Sequence, residues 1–199
     1  MSEPALSPSL PRLRRAAGVI EAGGVVAYPT EGVWGLGCDP LDLDAFARIL
    51  VAKARPAQMG VILLAADRAQ LDSWIEPPDT ELESRLAETW PGPVTWILPA
   101  RPWVPFWVTG GRDTLAARVS AHPVASALSR ASGTPIVSTS ANRSGKPPAR
   151  SAIQVRRWLG DHVDFILGGP TGSLSGPTPI YDGRTGRMIR GHTTGAQSR

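Results

Sequence analysis

Four short segments hold residue types suited to chemistry on anions. In the first, Tyr28-Pro-Thr-Glu31 runs into Gly32, Gly35 and Gly37 and then into Cys38-Asp-Pro40. A hydroxyl, a carboxylate and glycines at a strand-to-loop transition display backbone N–H groups and let a ligand approach closely. In the second, Lys53-Ala-Arg-Pro56, the two cations would point apart on a continuous helix. Pro56 pushes Arg55 out of the helical region, so both can converge on one anion beyond the helix end. In the third, Ser138-Thr-Ser-Ala-Asn142, an extended backbone sets Ser138, Ser140 and Asn142 on one face, with Thr139 and Ala141 opposite. In the fourth, Thr114-Leu-Ala-Ala-Arg118, small Ala116 separates a hydroxyl from a guanidinium on one face. That leaves room for a carboxylate or phosphate, which arginine grips with two N–H groups. Each segment also has a plainer reading. The first can be a glycine turn in which Thr30 serves the local backbone, the second a solvated helix end, and the others surface strands.

Composition narrows the choice. Of 21 basic residues only Lys53 and Lys146 are lysines, and Asn142 is the sole asparagine. A surviving lysine in an arginine-rich chain hints at a place that needs a compact ammonium instead of a planar fork. Against 17 acidic residues the net charge is +4, which favours anionic partners such as nucleotide, pyrophosphate or RNA. Familiar schemes for binding them are missing. Lys146 follows Ser144-Gly145 but precedes two prolines, so it opens no P-loop helix, and the glycines at 32, 35 and 37 reverse the dinucleotide fingerprint. No G-x-S-x-G elbow occurs, and His122, His162 and His192 lack ligand-spaced neighbours, so no metal site built from protein ligands is expected.

Cys38 is the one cysteine, which excludes an internal disulfide framework. Apolar runs such as Val61–Ala66 fall far short of the ~18–20 residues that span a bilayer. Arg12, Arg14 and Arg15 precede an apolar stretch that Glu21 breaks too early for a secretory signal. The cytoplasm is the expected compartment, with no membrane contact.

The elements that must position these groups are short. Gly and Pro, 21 and 20 of 199 residues, make up about a fifth of the chain against a usual share of about 12%. Helical spacing predicts a helix from Leu10 to Ala22, stopped by Gly23-Gly24. Another runs from Asp42 as N-cap to Ala54, with Leu43, Phe46, Ala47, Leu50, Val51 and Ala54 on its apolar face. A short helix opens at Asp67, and others span Asp79–Trp90, Pro123–Ser132 and Ser151–Leu159, the last ended by Gly160. Strands are predicted at Val25–Tyr28, Val61–Ala65, Val94–Leu98, Thr114–Val119, Ile136–Ser140, Phe165–Leu167, Pro179–Tyr181 and Arg187–Arg190. The last two are joined by Asp182-Gly183 as a hairpin signal. Residues 28–40 are otherwise read as loop, and Trp90, Trp96 and Trp158 as core. Alternating helices and strands with a hairpin give an α/β domain with a mixed sheet. Residues 10–190 form it, with 1–9 and 191–199 as flexible ends.

In their order, Ala27–Glu31 with Gly35–Pro40, Lys53–Pro56, Trp90-Pro-Gly-Pro-Val-Thr95, Leu115–Val119 and Ser138–Asn142 resemble the YrdC/TsaC family, the bacterial single-domain threonylcarbamoyl-AMP synthases. The likeness runs from about Leu13 to Arg190. It implies a twisted mixed sheet flanked by helices around a large, positively charged concave cavity. It also implies a reaction joining L-threonine, bicarbonate or CO2, and ATP into threonylcarbamoyl-AMP and pyrophosphate. A downstream threonylcarbamoyl-transferase complex then modifies adenosine 37 of ANN-decoding tRNAs to t6A. By the same resemblance Lys53 and Arg55 are catalytic and bind ATP, together with Thr114, Ser140, Asn142 and Arg190. Thr30, Arg118, Ser138 and Thr178 hold threonine, with Arg118 on its carboxylate. Mg2+ arrives on the ATP phosphates.

The chain departs from the family at Met59, where relatives have Asn or Lys, and at Leu64, which is His in two-domain relatives. Thr178 stands in place of the more usual Ser. A non-catalytic double-stranded RNA or tRNA-binding module is the alternative, favoured by the 19 arginines, and weak tRNA contact is left open beside catalysis. A carbamoyl-adenylate-forming part of a hydrogenase-maturation protein would bring acylphosphatase and zinc-finger segments, which this sequence lacks.

Overall fold

Glycine and aspartate set the first boundaries in the computed structural model, which describes residues 8–56 and 60–191. Helix α1 (Leu10–Glu21) buries Ala16, Ala17 and Ile20, and the chain leaves it at Gly23, where φ is +76°. Helix α2 (Leu43–Lys53) starts where the Asp42 side chain accepts the Ala45 N–H at 2.8 Å. Its buried stripe is Ala45, Phe46, Ile49 and Ala52, so the expected face is rotated: Leu43 and Val51 are exposed, while Phe46 is buried and Leu50 packs half-buried against the core. Leu43 and Val51 are apolar residues on the solvent side of the helix. The α2 stripe follows from Asp42 fixing the helix start, and burying Phe46 and Ile49 contributes about 1.5–3 kcal/mol each.

Among the described residues six more helices or single turns follow, the last of them the 3-10 turn Gly160–His162. Helix α3 (Thr80–Thr89) begins at Asp79, which accepts the Leu82 N–H, and α4 (Phe106–Thr109) is one turn that periodicity missed. Helices α5 (Pro123–Ala131) and α6 (Ala152–Leu159) lie as expected. The helix expected at Asp67 is a single 3-10 turn, Ala69–Leu71, because the Asp67 carboxylate caps only the Gln70 N–H. Trp158 is 41% exposed instead of core, since α6 buries Val155 and Leu159 and leaves the indole at the edge of that stripe.

The strands are β1 (Val26–Pro29), β2 (Trp34–Gly37), β3 (Ile62–Ala65), β4 (Thr95–Pro99), β5 (Thr114–Val119), β6 (Ile136–Ser140), β7 (Phe165–Ile166), β8 (Ile180–Asp182) and β9 (Met188–Arg190). Among the described residues they form one mixed sheet in the order β7-β1-β2-β6-β3-β5-β4-β8-β9. Strand β2 corrects the reading of residues 28–40 as loop. It pairs antiparallel with β1 and with β6, so Gly35 and Gly37 are strand residues. Gly37 is glycine for lack of room: a Cβ there would lie 2.6 Å from the Val137 carbonyl oxygen and 2.8 Å from the Tyr28 ring. The β8–β9 hairpin turns over five residues instead of at Asp182-Gly183, with Asp182 Oδ1 accepting the Arg184 and Thr185 N–H groups.

Strand alternation divides the sheet into two faces. Val137, Leu63 and Ala117 belong to the main core under α2, α3 and α6. On the other face Val26, Tyr28, Leu64 and Ile136 are covered by Ala16 and Ile20 of α1 and by Val124, Ala125 and Leu128 of α5. The next row on that second face, Ser138–Ile62–Ala116–Ile97, crosses four strands in register. The site lies over this row. Met59 lies outside the described residues, as do 1–7 and 192–199 of the expected flexible ends. Among the described residues no helix is long and apolar enough to cross a membrane.

Candidate active site

A cavity of about 300 Å3 sits against the Ser138–Ile62–Ala116–Ile97 row. Parity does most of the positioning: Thr114, Ala116 and Arg118 alternate along β5 onto its wall, as do Ser138 and Ser140 along β6. Thr30 enters from the end of β1, Thr178 from just before β8, and Arg190 from β9. The four residues expected to hold threonine all line the cavity, and all are buried: Thr30 at 5%, Arg118 at 4%, Ser138 at 6% and Thr178 at 5% exposure. Of those expected to hold ATP, Arg55, Thr114 and Ser140 line it half-buried and Arg190 lines it exposed. Leu64 does not reach the wall; it is buried beneath α5.

Lys53 and Asn142 stand behind the wall. The Lys53 ammonium donates to the Ser140 carbonyl, and at 3.0 Å to both the Asn142 carbonyl and Asn142 Oδ1. Ser140 Oγ donates to the same Oδ1 at 2.7 Å, and the Asn142 amide donates to the Lys146 carbonyl. One cation thus gathers the end of β6 and fixes the Ser140 hydroxyl, a task for a compact donor with three N–H bonds. Burial, and then the neighbouring Arg55 charge, lower the Lys53 pKa to about 8.

The helix end separates the two cations. Ala54 takes the left-handed conformation, φ +47°, its N–H bonding the Leu50 and Val51 carbonyls, and the Arg55 N–H follows onto Leu50. That reversal carries Arg55 to the cavity, where it donates to Thr139 Oγ1 at 3.1 Å and to the Gly60 carbonyl at 2.8 Å. Burial, and then the nearby Arg190 charge, lower the Arg55 pKa.

The floor is a buried polar chain. Arg118 donates to Thr178 Oγ1 at 2.8 Å, and that hydroxyl meets Thr95 Oγ1 at 3.2 Å. Its other terminal nitrogen is 3.4 Å from the Glu31 carboxylate, whose second oxygen accepts Ser120 Oγ at 2.7 Å. Segment 170–178 straps across this end. Gly172 and Leu174 donate to the Thr30 and Glu31 carbonyls, and Arg150 donates to the Ser175 carbonyl. A Cβ on Gly32 would lie 2.0 Å from the Gly176 carbonyl oxygen. The Thr30 hydroxyl donates to the Val33 carbonyl at 2.7 Å, so it serves the local backbone while facing the cavity.

Sequence reasoning passed over Arg112, Thr139, Glu31 and Thr95. Arg112 lines the cavity two residues before Thr114, the position that same-face counting from Arg118 reaches. Glu31 stood in a noted motif, but nothing in its neighbours along the chain points to Arg118. Among the described residues no group of three or more His, Cys, Asp or Glu is arranged to hold a metal ion. Arginines and hydroxyls around a half-buried hollow suit a phosphate-bearing ligand beside a small carboxylate.

Comparison with known proteins bears on this arrangement. The Sua5/YciO/YrdC family model, described as telomere recombination, matches residues 18–191. The threonylcarbamoyl-AMP synthase of Halorhodospira halophila is 54% identical over 179 residues, covering 90% of this chain and 94% of that protein. That of Nitrosococcus oceani is 56% identical over 179 residues, covering 90% and 97%. The crystal structure of P. abyssi Sua5 complexed with L-threonine superposes with a TM-score of 0.81 at 39% identity, covering 85% of this chain and 50% of Sua5. On the extent of the family match and of these identities, the chain belongs to the Sua5/YciO/YrdC family.

Proposed function

We infer that the protein is a threonylcarbamoyl-AMP synthase, a nucleotidyltransferase that forms threonylcarbamoyl-AMP and pyrophosphate from L-threonine, bicarbonate or CO2, and ATP. The observation that carries this is one cavity holding a buried hydroxyl-and-arginine floor beside an outer wall of Arg55, Arg112 and Arg190. It matches an amino acid lying next to a triphosphate. The product serves a downstream threonylcarbamoyl-transferase complex that makes t6A37 in ANN-decoding tRNAs, and the cytoplasm is its compartment. A non-catalytic RNA-binding role has no feature of the cavity in its favour.

In this reading Arg118 grips the threonine carboxylate, while Thr30, Ser138 and Thr178 surround the rest of the molecule. The threonine ammonium first gives one proton to solvent; the free amine then forms the N–C bond to CO2 and gives up a second, also to solvent, since the cavity wall carries no carboxylate or histidine among the described residues. A carbamate oxygen then attacks the α-phosphorus, and the bond to pyrophosphate breaks. Arg55 and Arg190 stabilise charge that builds on the phosphate oxygens, and Thr114 and Ser140 orient the nucleotide. Lys53 and Asn142 keep Ser140 in position. Mg2+ rides on the ATP phosphates, whose hard oxygens suit it, and supplies charge neutralisation there.

The test is pyrophosphate release with ATP, Mg2+, bicarbonate and each amino acid in turn. Release that depends on threonine is expected. Release that ignores the amino acid, or none with threonine, overturns the reading.

A further inference from the structure

Glu31 has no task in the reaction just described. It is 8% exposed, is absent from the cavity wall, and has one carboxylate oxygen fully enclosed with no hydrogen-bond donor. What it does touch is Arg118, at 3.4 Å, and Ser120 Oγ fixes it there from the far side. Ser120 is held in turn by the His122 N–H at 3.1 Å. The outer wall differs: Arg112 and Arg190 have no carboxylate within 4.0 Å among the described residues. The cavity is therefore divided by charge, with a balanced floor and a cationic outer wall.

We propose that Glu31 is a specificity-determining positioning residue: by neutralising Arg118 it makes the floor fit a zwitterion and keeps phosphate groups out of the amino-acid subsite. The proposal rests on the synthase reading and adds to it. An uncompensated arginine at the floor would attract any nearby anion, and ATP and pyrophosphate are nearby in every cycle. A net-neutral ligand gains its carboxylate bond to Arg118 and loses little to Glu31, because its ammonium offsets its carboxylate. A polyanion feels Glu31 with nothing to offset it, across a buried region where charges are poorly screened.

The test titrates wild type and Glu31→Gln with pyrophosphate by calorimetry without ATP, and repeats each titration in saturating L-threonine. Wild type takes one pyrophosphate per chain regardless of threonine. The variant takes a second that threonine displaces, or binds the anion at least about tenfold more tightly in a threonine-sensitive manner. Identical stoichiometry, affinity and threonine response in the two proteins overturn the proposal, as does threonine-sensitive binding in wild type. Glu31→Asp keeps the charge and keeps the wild-type pattern; a second anion there also overturns it. A merely loosened fold does not gain an anion site. Should Glu31→Gln be too unstable to titrate, its melting temperature decides: pyrophosphate raises it more than that of wild type, and an equal or smaller rise sinks the idea. A wild type that shows no threonine-dependent pyrophosphate release, while the Gln variant still gains the anion, removes the synthase reading and leaves the charge balance standing.

Discussion

Lys53 couples acid–base behaviour to the shape of the wall. Above pH 8 its ammonium loses a proton, and one of three oxygen acceptors loses its donor. Activity is expected to fall on the alkaline side with a midpoint of about 8. Stability moves the other way. The unfolded lysine holds its proton up to about 10.4, so between the two values the unfolded chain binds more protons and stability rises with pH. A pH–rate profile and urea melts over pH 7–10 check both signs; parallel losses would reject the assignment. Lys53→Ala should reduce adenylate formation by about a hundredfold or more, as should Arg55→Ala. Arg118→Ala should raise the threonine KM by about a hundredfold and the ATP KM by less than about threefold. Equal effects on both constants would remove Arg118 from the carboxylate. Most of these residues were legible because chemistry-bearing types stood at same-face spacing in short apolar settings. What Lys53 does with its proton was not, because its acceptors lie 87 and 89 residues away.

At the scale of elements, two backbone positions are specific enough to test. Ala54 adopts a left-handed conformation without being glycine, at a cost of about 1–2 kcal/mol. Ala54→Gly should stabilise the protein by about 0.5–1 kcal/mol after the extra freedom of the unfolded chain is subtracted, read as a higher urea midpoint at constant m. Gly37→Ala should destabilise by about 1–3 kcal/mol, because its methyl group meets a carbonyl and the Tyr28 ring in a packed sheet. Strand β2 explains why the sequence misled at this level. Its glycines are depleted from strands in general and mark loops to any propensity argument. Here the pairing of β1 with β6 through β2 overrides that preference. Helices were easier: Asp42 and Asp79, the aspartates that cap α2 and α3, stand next to their helices in the chain.

For the whole molecule, alternation of helices and strands sufficed to infer an α/β domain with a mixed sheet, since periodicity is a local signal. The cavity was not readable that way. It exists because α1 and α5 cover only part of one sheet face, and that depends on register between strands far apart in sequence. The residues given to threonine are enclosed, whereas Arg112 and Arg190 meet solvent. Such a vessel fills from the bottom. Nucleotide that docks early bars the way to the deeper compartment, so turnover should slow at high ATP when the amino acid is scarce and recover when it is abundant. Initial-rate patterns should be those of compulsory order, amino acid before nucleotide. Dead-end AMP analogues that fail to block threonine uptake would refute that queue.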